Sequence, residues 1–223
     1  MRRFRITPGR IALALAATLA GSIGIGYATT LPVSSSSLGT ASQSLTKSSC
    51  TVSGTSSTTD TYIDQNSPNS SFGSNTTMLV QPDTNKIQAS LIMFSLSGCS
   101  IPTTGGADTA TLTLFITNAP SSSRTLTLYP VLQTWSGSST WNTAHSLQVG
   151  SATTSFATGT TNNVSKALTV TIDVDALIKN PNANFGWEIL DGGTPAGGDR
   201  TTIATSNNGT AARRPTLAIN YEK

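Results

Sequence analysis

Between Thr109 and Ile116 the chain reads Thr-Ala-Thr-Leu-Thr-Leu-Phe-Ile, which sets Ala110, Leu112, Leu114 and Ile116 on one face. A period of two is that of an extended strand, whose successive side chains point to opposite sides. Such a strand has one face to bury and one to wet, so it needs a second layer packed against it. The pattern recurs at Ser90-Leu91-Ile92-Met93-Phe94-Ser95-Leu96, over residues 125–131, and in Leu168, Val170, Ile172 and Val174. It returns in Phe185, Trp187 and Ile189, with Trp187 expected in the core, and in Leu217, Ile219 and Tyr221. No segment after Ala28 carries a long helical stripe; residues 173–179 allow one or two turns, capped by Asp173 and ended by Asn180-Pro181. Short strands, turn-rich connections and no crossover helices imply an all-β fold, an antiparallel β-sandwich of jelly-roll type.

The first 28 residues stand apart. Arg2, Arg3, Arg5 and Arg10 precede an uncharged run over residues 11–28, and Gly26-Tyr27-Ala28 offers small residues at a cleavage site. This is the pattern of a secretory signal, with an uncleaved N-terminal anchor helix as the alternative. Both place the rest of the chain outside the cytoplasm, secreted or held at the membrane by that segment. Four of the 13 basic residues lie in the signal and none of the 10 acidic ones, which leaves 9 against 10. The remainder is nearly neutral, without the basic stripe that nucleic-acid binding requires.

Residues 29–59, rich in Ser and Thr, read as a linker or arm, and residues 60–221 as one domain. Cys50 and Cys99 are the two cysteines. An even count in an oxidising compartment predicts a disulfide between them.

Asp60-Thr61-Tyr62-Ile63-Asp64 leads into Ser67-Pro68-Asn69-Ser70-Ser71-Phe72-Gly73, a turn followed by an aromatic and a glycine. Further on come the 90–96 strand, Ile101-Pro102, the 107–114 strand, Trp135 with Thr140-Trp141-Asn142, Asn184-Phe185-Gly186-Trp187, and Arg214-Pro215-Thr216-Leu217 with Tyr221. Together, in order and with family-like spacing, these segments resemble the DNRLRE-type domain, also classed as carbohydrate-binding module family 96. The resemblance implies a secreted β-sandwich of the kind that accompanies polysaccharide-degrading enzymes, some members binding acidic polysaccharides such as alginate. It also fits a subgroup in which Cys99 lies at a strand-to-strand turn. One departure is Ser206-Asn207-Asn208, where the family often has a Ser, a basic residue and Glu.

Sugar sites combine an aromatic surface with a few polar groups, because the apolar face of a pyranose stacks while its hydroxyls need partners. Trp135 and Trp141, flanking a Ser/Gly loop, are the aromatic candidates for ligand binding. Arg200, Arg213 and Arg214 are the local concentration of positive charge and suit a uronate carboxylate, although pairing of Arg214 with Asp191 or Asp199 is the structural alternative. Asp60 and Asp64 are weak calcium candidates, and His145 reads as a solvated loop residue. No metal or cofactor is expected. The carboxylate pairs Asp173/Asp175 and Asp191/Asp199 lack any neighbouring group to tune them, and no nucleophile elbow, zinc motif or phosphate loop occurs, so no catalytic residue is assigned. The expected function is a secreted, non-catalytic module binding an extracellular or cell-wall polysaccharide. The alternative is a structural or adhesive cell-surface sandwich without glycan specificity.

Overall fold

The computed structural model describes residues 46–83, 86–194 and 199–223; the signal or anchor segment and most of the expected linker lie outside them. Eleven strands form two antiparallel sheets. The first sheet contains β1 (Lys47–Ser53), β3 (Thr77–Val80), β5 (Ala107–Asn118), β8 (Val164–Thr169), β10 (Thr201–Ala204) and β11 (Thr216–Glu222). The second runs in the order β2 (Thr58–Asp64), β4 (Gln88–Phe94), β9 (Trp187–Asp191), β6 (Thr125–Pro130) and β7 (Thr154–Ala157).

The alternating strand that opens the argument is β5, and it organises the first sheet. It pairs with β8 from Thr111 to Ile116, with β11 from Ala107 to Thr113, and with β10 at Ile116 and Asn118. Because β8 overlaps both of the others, β11 and β10 must follow one another along the opposite edge. Ala110, Leu112, Leu114 and Ile116 are fully buried, as their spacing predicts. They meet Ile92, Phe94, Leu126, Leu128, Trp187 and Ile189 from the second sheet in a single core.

Near its end the stretch read as a linker or arm carries β1, which pairs with β11 over seven positions from Lys47↔Glu222 to Ser53↔Thr216. Its own pattern supplies only Cys50 and Val52 to the core side, too weak a signal to mark a strand before its partner is known. The alternation through Val174 stops at Val170, where a helix begins: α2 spans Thr171–Lys179. Ile172 consequently points outward while Val174 and Ile178 join the core, and Val170, not Asp173, occupies the cap position. Finally, Phe185 does not share the face of Trp187. Gly186 between them has φ +67°, and a Cβ there would collide with the carbonyl oxygen of Ile92. That left-handed residue turns the chain so that Phe185 packs outside the sheet and Trp187 inside.

The disulfide joins Cys50 of β1 to Cys99, in the connection leaving β4, with Cα atoms 5.7 Å apart. It staples the edge of one sheet to the end of the other.

Candidate functional site

Most of the outer face of a sandwich is wet, but here part of the second sheet's outer face is covered. Residues 131–150, including the single helical turn α1 (Trp141–Ala144), lie over it. Ile63, Ala89 and Leu91 from β2 and β4 form a small second core with Val131 and Ala144, and Trp135, Trp141, Leu147, Val149, Phe185 and Leu190 pack around it. The turn motif at residues 67–73 holds this cover in place. Pro68 O accepts the amide of Asn142 (3.0 Å), and Asn142 Nδ2 donates to Asn69 Oδ1 (2.8 Å). Gly73 sits against Gly137, where a Cβ would collide with its backbone. The glycine of the turn motif thus allows two loops to touch.

Both candidate tryptophans belong to the cover and are half-buried. Trp135 donates its indole N–H to Phe185 O at 2.6 Å, which commits it to anchoring the loop. Trp141 stacks on the exposed His145, ring centroids 5.3 Å apart and planes 17° from parallel, and the His145 ring meets Trp141 O through Nδ1 at 2.8 Å. His145, expected as a solvated loop residue, is exposed and forms half of a two-ring unit at the surface, beside the Asn69–Asn142 pair.

The three arginines are placed differently. Arg213 lies over the ring of Phe115, 5.2 Å from its centroid, on the outward side of β5. Arg214 Nε donates to Asn208 O at 2.8 Å. Arg200 is exposed, on the stretch leading into β10. Of the two acids offered as structural partners of Arg214, Asp191 is instead gripped by Arg124 through Nε (2.6 Å) and Nη2 (3.0 Å).

Four other acids make contacts that hold the fold. Asp60 Oδ2 accepts the amide of Ser206 (2.6 Å) and Oδ1 its hydroxyl (3.2 Å); burial nonetheless pushes its carboxyl up to about 6, against the lowering effect of those two bonds. Asn207 Nδ2 reaches Gly73 O (2.9 Å) and Asn208 Nδ2 reaches Thr76 O (3.2 Å), so the Ser-Asn-Asn departure acts as a clamp between loops. Asp64 accepts from Asn66 N and Gln88 Nε2. Asp173 accepts the indole N–H of Trp187 (2.6 Å) and the Thr153 hydroxyl, and Asp175 pairs with Lys179 at 2.6 Å. Among the described residues no group of three or more His, Cys, Asp or Glu side chains comes together as a metal site.

Two adjoining depressions at one end of the sandwich escaped sequence reasoning. One, about 300 Å³, lies between α2 and the 95–103 segment next to the disulfide; the other, about 270 Å³, lies beside the turn joining β1 and β2. They share Ser95, Pro181 and Asn184. Their walls come from residues far apart in sequence and without a common motif, which is why no local pattern announces them.

The family model of carbohydrate-binding module family 96 matches residues 51–221, from the middle of β1 to the last strand. The chain belongs to that family. No curated protein matches it. The match spans both sheets, the cover over the second sheet and the end depressions, so each candidate surface of this family 96 chain lies on the matched domain. Its family is one of non-catalytic carbohydrate-binding modules.

Proposed function

We propose that this chain is a secreted, non-catalytic module that holds an extracellular or cell-wall polysaccharide. The observation that carries the reading is the family match across the whole sandwich. Of the five candidate ligand residues, Trp141 suits the role best, because its stacked unit with His145 is at the surface beside two amide side chains. Trp135 is the anchor of the same loop. Arg213 and Arg214 are engaged with Phe115 and Asn208, which argues against a uronate clamp built from them.

Trp141→Ala should weaken polysaccharide binding by about 2 kcal/mol, roughly 30-fold, if the indole is a stacking hot spot. Trp135→Ala should instead lower the melting temperature, since it removes a half-buried anchor and leaves Phe185 O without its indole donor. Pull-down on insoluble polysaccharides and thermal melts of both variants separate the two effects. A wild type that retains no glycan, with both variants merely less stable, favours the structural or adhesive alternative.

Export carries its own test. N-terminal sequencing of the exported protein should read from Thr29; an intact Met1 or Arg2 terminus in the membrane fraction would assign the segment as an anchor instead.

A further inference from the structure

We infer that the two adjoining depressions at the end of the sandwich form one groove that takes a neutral sugar chain and rejects uronates. This rests on the module reading above and names a site for it other than Trp141. Leu96, Ile101, Leu177 and Pro181 give the groove an apolar wall, against which the C–H face of a pyranose can lie. Hydroxyls and one amide line the rest, among them Ser95, Thr103 and Asn184. Asn184 Nδ2 donates to Phe94 O at 2.7 Å, which leaves its Oδ1 as an acceptor for a sugar hydroxyl.

Ser56, Ser57, Thr58 and Thr59 add further hydroxyl-bearing residues along the second depression. Among the described residues no charged side chain lines either depression. A carboxylate entering there would lose its water without meeting a counter-charge, so neutral sugars are favoured over uronates.

The test is a titration of the exported protein with cello-, xylo-, manno- and chitohexaose and with an alginate hexamer, followed by NMR. At least one neutral hexamer should shift the amides of Ser95, Leu96 and Asn184 and the methyls of Ile101 and Leu177, and the alginate hexamer should leave them in place. Thr103→Trp and Ser97→Trp, both at exposed positions, should weaken that binding by about tenfold or more at unchanged melting temperature. If either variant fails to fold, the wild-type shifts alone decide. Neutral sugar binding that moves only Trp141 and His145 signals overturns the groove and leaves the module reading standing. Shifts of the groove signals by alginate overturn the exclusion of uronates. Binding of none of the sugars overturns both groove and module.

Discussion

Replacing Cys50 and Cys99 together by alanine is expected to lower folding stability by about 4 kcal/mol. The bridge spans 49 residues of sequence, and closing a loop of that length removes about this much free energy from the unfolded chain in the chain-entropy model. For a domain of this size the loss corresponds to a melting temperature lower by roughly 10 °C. The same shift should follow reduction of the wild type, and the double variant should no longer respond to reductant. Equal melting temperatures with and without reductant would show that the bridge constrains nothing. The position of the crosslink makes the loss local as well as global. β1 is an edge strand held on one side by β11, and Cys99 lines the end groove, so the reduced protein should also lose order around residues 95–103.

The second large effect concerns Glu188, a buried carboxyl to which no described residue donates a hydrogen bond or an ion pair. It stands on the outer side of β9, directly across from Leu91 on one neighbouring strand and Tyr129 on the other. Burial pushes its carboxyl up to about 7. The folded state therefore holds a proton that the unfolded chain releases near its ordinary value of 4.5. Stability must fall as pH rises from about 4.5 towards 7 and then level off, at a total cost of about 3 kcal/mol. Glu188→Gln removes that ionisation. At pH 8 the variant should be more stable than wild type by about 2–3 kcal/mol, and at pH 4.5 the two should melt together. Asp60, with its carboxyl pushed up to about 6, titrates in the lower part of the same window, but it is common to both proteins and cancels in the comparison. A stability difference independent of pH would refute the assignment.

Glu188 also illustrates what the sequence makes legible. The alternation of Trp187, Glu188 and Ile189 places the glutamate on the outer side of a strand, where water is the natural expectation. That expectation fails because residues 131–150 cover part of this face, and the covering depends on loop contacts made across the chain. Pro68, Asn69 and Gly73 had been visible only as a turn; their part in seating Asn142 and Gly137 follows from tertiary structure. The long strand β5 was readable because eight consecutive residues keep one period and its apolar side chains go to a single core. The four-residue strands β3 and β10 lack the length to establish a period, and their place is set by pairing with each other and with β5. The disulfide was legible from the cysteine count and from the expectation of an oxidising compartment. The arginines were legible as a cluster in sequence, but the partners of two of them were not: the 3-10 turn at Ala211–Arg213 separates the directions of Arg213 and Arg214, towards Phe115 and Asn208 respectively.

The pairing of the first strand with the last has a mechanical consequence. Thr46 and Lys223 exchange both backbone hydrogen bonds, at 2.9 and 3.0 Å, so the chain enters and leaves the sandwich at neighbouring points. A tension applied between these two points acts across the β1–β11 ladder and loads its hydrogen bonds one after another, in the manner of a zipper, instead of shearing them all at once. Peeling would begin at the Thr46–Lys223 pair and run inward only as far as Cys50, where the covalent link to Cys99 transfers the load to the connection behind β4. A tether attached at this corner can thus yield by a few residues and then hold, leaving the two sheets packed.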